Sequence, residues 1–315
     1  MKRLMASMGL IIAACGAQAA ELGAVDKPIV MTMGEWTGQH ISTRIAGAML
    51  EKLGYEVEYV TAGYQSQFSA IMEGEIHATM EIWETQVGEV MPNAIASGNV
   101  VTIGELGIDG LQTWFYPAHV EEMCPGLPAL SALNDCAQVF ATPETIPQGR
   151  FLDYPAEWSS NANRLEALGM NFKPVASGSE GAMIAEIKRS VEQKTPLVLM
   201  FWAPHWVFAE YDLRQVELPA FEQACIDDAA WGPNSEATYD CDWKPDTVTK
   251  MAWAGFEETW PAAYKLLEAY QIDNDVQARI MKAVDVDGKD LMEEIDRWIA
   301  ENEATWQSWL DQAKS

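Results

Sequence analysis

The chain of 315 residues carries 47 acidic against 20 basic side chains, which gives a formal charge of −27. A surface this acidic repels the phosphates of nucleic acids and of anionic lipids, so it excludes nucleic acid as a partner and mildly favours cationic or zwitterionic small molecules. The length exceeds what one simple hydrophobic core usually holds, and we therefore expect two lobes.

The first residues have the pattern of an export signal. Lys2 and Arg3 form a positive start, residues 4–14 are mostly apolar, and residues 17–19 supply the small-residue site that a signal peptidase needs. The apolar run is too short to anchor in a bilayer, which takes about 20 residues. We predict a signal peptide at residues 1–19. Because residues 12–15 also resemble a bacterial lipobox, lipidation of Cys15 is the alternative.

Strands and helices alternate in the next part of the chain. The predicted strands are residues 29–33, 55–60, 77–82 and 100–106, and the predicted helices are residues 39–53 and 65–73. The first helix places Ile41, Ile45 and Met49 on one face, whereas residues 55–60 alternate like a half-buried strand. This alternation of strands and helices is typical of an open α/β sheet.

A second α/β block follows. Its predicted strands are residues 138–141, 172–176 and 197–201, its predicted helices are residues 161–168 and 180–193, and helical signals continue from Asp246 to the end. We expect lobe one at residues 20–113 and 214–315 and lobe two at residues 114–213, so that two crossings form a hinge. Ligands of open α/β sheets lie beyond the carboxyl ends of strands, which here face the cleft.

Four cysteines remain after the signal: Cys124, Cys136, Cys225 and Cys241. An even number in an oxidising compartment predicts two disulfides, for which three connectivities are possible. Pairing of neighbours, Cys124 with Cys136 and Cys225 with Cys241, is the simplest because each bond closes a short loop. Zinc is disfavoured, since no CxxC pair is present and the histidines are scattered.

Ten of the thirteen tryptophans fall into two groups. Those at helical spacing near the C-terminus predict core stripes: Trp253, Trp260, Trp298, Trp306 and Trp309. Five others stand at strand ends, a helix start or the first crossing: Trp36, Trp83, Trp114, Trp158 and Trp202. Because α/β folds place ligand contacts at such positions, these five predict a binding site.

A cage of tryptophans suits one kind of ligand. A quaternary ammonium group has no N–H to donate, so it is recognised by the negative faces of aromatic rings, at about 0.5–2 kcal/mol for each desolvated contact. Three to five rings would supply much of the roughly 8 kcal/mol that micromolar binding requires. The pattern therefore predicts a small methylated-onium solute.

Three stretches, MGEWTGQHISTRIAGAMLEKLGYEVEYV, GEIHATMEIWE and TPLVLMFWAPHWVFAEYDL, resemble the substrate-binding proteins of glycine betaine/choline-type ABC importers. The resemblance covers essentially the whole mature chain. It implies a two-lobed periplasmic binding protein of the Venus-flytrap type (type II), a periplasmic location, and a permease and an ATPase as partners. In that family both lobes contribute to an aromatic cage, and the five tryptophans at strand ends, the helix start and the crossing match its members.

The ligand's other end is less defined. The resemblance implies a helix start that holds a carboxylate, and the amides and hydroxyls of Ser159 and Ser160 are placed to do so. Glu84 is a candidate to face the cation. However, the histidine of the betaine binders is Val87 here, and the aspartate of the choline-type sites is Gly38. The solute therefore stays open among glycine betaine, trimethylamine N-oxide, choline, carnitine and dimethylsulfoniopropionate.

The sequence favours a solute-binding protein over two other classes of protein. An enzyme is not expected, because the chain has no HExxH, GxSxG, P-loop or GxGxxG motif and therefore no catalytic site is predicted. The alternative is a calcium-stabilised extracellular binding or adhesion module without onium specificity. Its basis is the acidic loop at residues 227–245, whose carboxylates suit an accessory Ca²⁺. Otherwise no metal or cofactor is predicted.

Overall fold

The computed structural model describes residues 21–154 and 160–315. The predicted signal peptide with Cys15 lies outside these residues, as do Trp158 and Ser159. The strands are β1 (Ile29–Met33), β2 (Val57–Thr61), β3 (Ala78–Trp83), β4 (Val100–Pro117), β5 (Gly149–Asp153), β6 (Phe172–Ala176), β7 (Leu199–Ala203), β8 (Leu213–Gln215) and β9 (Asp246–Trp253). The helices are α1 (Thr37–Leu53), α2 (Gln67–Glu73), α3 (Val90–Ala96), α4 (Leu130–Asp135), α5 (Ser160–Ala167), α6 (Glu180–Gln193), α7 (Val207–Glu210), α8 (Ala224–Asp227), α9 (Phe256–Thr259), α10 (Pro261–Ala269), α11 (Asn274–Asp285), α12 (Leu291–Glu301) and α13 (Glu303–Ala313).

The strands form one mixed sheet in the order β2-β1-β3-β9-β4-β7-β5-β6, with β8 paired to β4. Strand β1 pairs in parallel with β2 and β3, and β5 pairs in parallel with β6 and β7. Strands β4 and β9 run antiparallel to their neighbours in the middle of the sheet. Two parallel α/β units therefore flank an antiparallel centre, which confirms the two-lobed α/β class.

Strand β4 carries the chain from one lobe to the other. Its residues 100–110 pair with β9, whereas residues 111–117 pair with β7 and β8. We call residues 21–110 and 246–315 lobe one and the described residues between them lobe two. At the junction, Gly110 lies so close to lobe one that a Cβ there would meet the Trp83 ring at 2.7 Å.

The return crossing lies later than Leu213, where the sequence pattern placed it. Residues after β8 stay on lobe two: Val216 N–H donates to the Trp114 carbonyl, and Arg164 Nε donates to the Cys241 carbonyl at 2.8 Å. The chain rejoins lobe one only at Asp246, the first residue of β9. Backbone pairing rather than local composition sets this boundary.

Two predicted elements are wrong. Residues 138–141 do not form a strand, since Ala137–Phe140 is a 3-10 helix and the strand of this region is β5. The segment that begins at Asp246 is not helical but is β9, a strand inserted between β3 and β4. Lys250 interrupts the apolar pattern of this strand. It can be buried because its ammonium group donates to the carbonyls of Leu267 and Tyr270 near the end of α10.

The C-terminal helices cover lobe one and contain the predicted tryptophan core. Trp298 and Trp309 stack with their ring centroids 6.1 Å apart, and Trp309 meets Tyr270 edge-on. Trp260 is also buried, while Trp253 lies on β9 and packs against His77. Helix α1 packs between this helical layer and the sheet, and so the loop before α1 has a fixed position.

Both disulfides join neighbours in sequence, Cys124 with Cys136 and Cys225 with Cys241, which confirms the local pairing. The second closes the acidic loop onto lobe two. Within the described ranges, none of the helices has the length and apolar character needed to cross a membrane.

Candidate functional site

Lobe one contributes two tryptophans at the carboxyl edge of its parallel strands. Trp36 follows β1 and precedes α1, and Trp83 is the last residue of β3. Because β1 and β3 are parallel neighbours, both side chains emerge at the same edge of the sheet. Tyr64 supports them: its hydroxyl accepts from the Trp83 amide at 2.7 Å, and its ring meets Trp36 edge-on.

The carboxylate of Glu81 lies behind these two rings. Trp36 Nε1 donates to Glu81 Oε1 at 2.7 Å, and Trp83 Nε1 donates to the same oxygen at 3.0 Å. The other oxygen accepts from Ser42 Oγ at 2.7 Å and from Gln277 Nε2 at 2.8 Å. Burial raises the pKa of Glu81 above its ordinary value, and these hydrogen bonds act in the opposite direction.

Lobe two contributes two further aromatic residues. Trp202 lies on β7, and Tyr154 directly follows β5, with their ring centroids 5.6 Å apart. Trp202 also stacks on Phe201 at 4.5 Å and 15°. His205 meets it edge-on at 5.7 Å, so the Trp202 ring is positioned mainly by contacts with other rings, in contrast to the hydrogen-bonded rings of lobe one.

The aromatic residues of both lobes meet around one small cavity. It is lined by Trp36, Trp83, Gln112, Tyr154 and Trp202, and the space between these residues, including the solvent at its mouth, is about 240 Å³. We call these five residues the cage.

Gln112 is the polar member of the cage. It lies on β4 opposite Trp202 of β7, and its Nε2 donates to Asp246 Oδ2 at 2.8 Å and to Thr85 Oγ1 at 3.1 Å. Its Oε1 is buried and has no hydrogen-bond partner among the described residues. Gln112 therefore joins the cage to the junction between the lobes.

Asp246 stands at that junction and is nearly buried. It accepts hydrogen bonds from the Thr85 amide, the Thr85 hydroxyl and Gln112. Burial raises the pKa of Asp246 to about 6, although the hydrogen bonds oppose this rise. The carboxyl group thus links lobe one to the first strand crossing.

Of the five tryptophans predicted at the site, the structure brings Trp36, Trp83 and Trp202 together. Trp114 lies elsewhere: its ring is fully buried against Phe151, and its Nε1 donates to Asn161 Oδ1 at 2.9 Å. It lies two residues beyond Gln112 on the same face of β4, in the core of lobe two. Trp158 is outside the described residues.

Two of the predicted polar contacts, Ser160 and Glu84, lie outside the cage. Ser160 Oγ donates to Gln86 Oε1 across the cleft at 2.9 Å, and Glu84 is bonded to Lys244 and to Thr249. Ser160 and Glu84 both line a second, larger cavity between the lobes. Neither is among the residues that line the cage, and Ser159 is outside the described residues.

Three residues of the site escaped the sequence prediction: Glu81, Gln112 and Tyr154. Only Glu81 left a signal, because an acid in the otherwise buried strand β3 must have partners. Gln112 and Tyr154 reach the cage through long-range pairing that no local pattern encodes.

The acidic loop contains no evident metal site. Asp240 accepts from the Asn234 amide, and Asp242 accepts from Thr113 Oγ1. Across residues 21–154 and 160–315, no group of three or more His, Cys, Asp or Glu side chains is arranged to hold a metal ion. The carboxylates of the loop are used by protein donors instead.

Two lobes joined at a sheet junction, with an aromatic cavity between them, define a periplasmic binding protein of type II. The family model for the substrate binding domain of the ABC-type glycine betaine transport system matches residues 27–301. The chain therefore belongs to this family. It is thus the solute-binding component of an ABC importer. Proteins of this family are transport components rather than enzymes, and they work with permease and ATPase components.

Several relatives are similar over nearly the whole chain. The trimethylamine N-oxide-binding protein of Pelagibacter ubique (strain HTCC1062) is 26% identical, over 97% of this chain and 98% of that protein. An ABC-transporter choline binding protein in complex with choline superposes with a TM-score of 0.72 at 19% identity, covering 90% of this chain and 91% of that chain. Lactococcal OpuAC in its closed form with glycine betaine gives 0.70 at 15% identity, covering 90% and 100%. The two structures support the fold.

Proposed function

We propose that the protein captures a small methylated-onium solute in the cage and delivers it to the permease and ATPase of its importer. The observation that carries this proposal is the convergence of three indole rings and one phenol ring from two lobes on one cavity. The faces of such rings attract a desolvated onium group. We further propose that the protein works in the periplasm, after removal of residues 1–19 or lipidation of Cys15.

Among the candidate solutes, we propose trimethylamine N-oxide as the best fit. Among the described residues, the cage wall has no Lys, Arg or His that would pair with a carboxylate. The cavity is also small, which favours a solute with a short polar end over carnitine. The full-length similarity to a trimethylamine N-oxide-binding protein supports the same choice.

The test is a titration of the mature protein followed by tryptophan fluorescence and calorimetry. Trimethylamine N-oxide, glycine betaine, choline, carnitine and dimethylsulfoniopropionate are the ligands. The matched control is 3,3-dimethylbutan-1-ol, the uncharged carbon analogue of choline. We expect saturable binding of trimethylamine N-oxide and at least tenfold weaker binding of the uncharged analogue than of choline, because only the charged ligand gains cation–π attraction.

Two outcomes would contradict the proposal. The first is that none of the onium solutes binds. The second is that the uncharged analogue binds as tightly as choline, since the cavity would then select shape alone. Tighter binding of another onium solute would overturn only the choice of trimethylamine N-oxide.

A further inference from the structure

The carboxylate of Glu81 is an unusual component for a buried β-strand. The residue is 1% exposed, and the other residues of β3 include Ala78, Met80 and Ile82. Burying a charged group is costly unless the group is paired and fully hydrogen-bonded. An apolar side chain would fill this position at lower cost, so the carboxylate requires an explanation beyond packing.

The donors around Glu81 come from separate parts of lobe one. They are Trp36 in the loop before α1, Ser42 on α1, Trp83 at the end of β3 and Gln277 on α11. A carboxylate has about four acceptor positions. Four donors face them, although the Ser42 hydroxyl also lies 3.0 Å from the Gly38 carbonyl. The two indole N–H groups can only donate, so this arrangement suits the ionised form of Glu81.

Every one of those donors is uncharged. Within the described part of the chain, no Lys, Arg or His forms a hydrogen bond or an ion pair with Glu81. In its ionised form this carboxylate is therefore solvated by dipoles and, among the described residues, has no hydrogen-bonded or ion-paired cation. The two indole rings that bond to Glu81 Oε1 also line the cage.

We propose that Glu81 is a positioning residue that fixes both lobe-one rings and places a negative charge behind them, so that the cage stabilises the positive charge of a bound onium group. This inference rests on the proposed function. Two physical effects support it. The shared oxygen sets the orientation of both indoles, and a carboxylate at each indole N–H makes the ring faces more negative toward a cation in a low-dielectric site. The bound onium group would supply the missing countercharge.

Glu81→Gln removes the charge with little change in shape. The Gln Oε1 can still accept from both indoles. The new amide N–H groups face Ser42 and Gln277, whose hydroxyl and amide groups can reverse their roles and accept. The matched control is Ser42→Ala, which removes one donor but leaves the charge and both indole bonds in place.

The probes are tetramethylammonium, a net cation, and trimethylamine N-oxide, which is net neutral at pH 8. We expect Glu81→Gln to weaken tetramethylammonium binding by about tenfold or more and trimethylamine N-oxide binding by about threefold or less, since only the first ligand carries a full uncompensated charge. Ser42→Ala should leave the ratio of the two dissociation constants within about twofold of its original value. Circular dichroism and melting curves check the fold of each variant.

Equal losses for both ligands in Glu81→Gln would overturn the proposal, because a purely structural residue affects both alike. An unchanged affinity for both would overturn it as well. If Glu81→Gln does not fold, the unaltered protein still decides the question. A charge behind the rings requires tetramethylammonium, a cation without a polar end, to bind. Binding of trimethylamine N-oxide without any binding of tetramethylammonium overturns this inference but leaves the proposed function intact, whereas binding of neither ligand overturns the proposed function.

Discussion

The two halves of the cage are built by different means. In lobe one, Trp36 and Trp83 are held by directional hydrogen bonds to one carboxylate oxygen of Glu81. In lobe two, Trp202 is held by ring contacts with Phe201 and Tyr154. Hydrogen bonds fix an angle, whereas stacked rings can slide with little loss of contact. The rings of lobe one therefore have a more strictly fixed orientation than the ring of lobe two.

Removal of a whole ring should show the largest difference between the halves. Trp83→Ala removes one ring and also one of the two indole bonds that share Glu81 Oε1, so Trp36 loses a fixed neighbour. We expect an affinity loss of about a hundredfold for Trp83→Ala and about tenfold for Trp202→Ala, measured by calorimetry with trimethylamine N-oxide. Trp306→Ala is the control, since this half-buried ring packs in the C-terminal helical layer. It should lower the melting temperature without weakening binding.

A smaller loss at position 83 than at position 202 would reverse the comparison, because the tether to Glu81 would then contribute nothing to the site. A loss of affinity in Trp306→Ala as large as in Trp202→Ala would mean that ring removal acts through general destabilisation.

Replacement of each tryptophan by phenylalanine sharpens the comparison. Phe keeps an aromatic face but has no N–H to donate. At position 83 the change leaves a buried carboxylate oxygen with one donor fewer, whereas no side-chain hydrogen bond of Trp202 is among those described. We expect about tenfold weaker binding for Trp83→Phe and about threefold for Trp202→Phe. Equal losses in titrations under identical conditions would show that only ring area matters.

The junction between the halves should make stability depend on pH. The pKa of Asp246 is about 6 in the folded protein, above the value of about 3.9 for an unfolded aspartate. Below about pH 4 the carboxyl is protonated in both states; as the pH rises to 6, the unfolded state loses its proton first, and the folded protein loses about 2–3 kcal/mol of stability from this group.

Asp246→Asn should remove this contribution. Between pH 4 and pH 7, the melting temperature of the ligand-free variant should fall by about 5 °C less than that of the unaltered protein. Parallel melting curves across this range would mean that Asp246 ionises normally and that the junction is open to solvent. The other acids of the chain are common to both proteins and cancel in the difference.

The residues of the cage also differed in how well the sequence predicted them. Trp36, Trp83 and Trp202 were predictable because strand ends in α/β folds are ligand edges, and a tryptophan there stands out. Tyr154 and Gln112 were not, since their positions depend on which strands become neighbours. Trp114 lies outside the cage for the same reason. It follows Gln112 on the same face of β4, but two residues along a strand move a side chain by about 7 Å, and this distance takes the Trp114 ring from the cage into the core of lobe two.

Similar limits applied to the fold. The α/β class, both disulfides and the helical tryptophan core followed from spacing and composition. Strand β9 did not, because Lys250 interrupts its apolar run and its ammonium is satisfied by carbonyls near the end of α10, about twenty residues further along the chain. The late return crossing was hidden because backbone bonds, rather than any composition change, hold residues 216–241 on lobe two.

The absence of a side chain at Gly110 is useful when sequences of related proteins are compared. Even one added carbon would meet the Trp83 ring at 2.7 Å and Asp246 Cβ at 3.0 Å. In a homologous sequence, a larger residue at this position would force the Trp83 ring or the crossing strand to shift. The residue at this one position therefore helps to predict whether the tryptophan of a relative occupies the place that Trp83 has here.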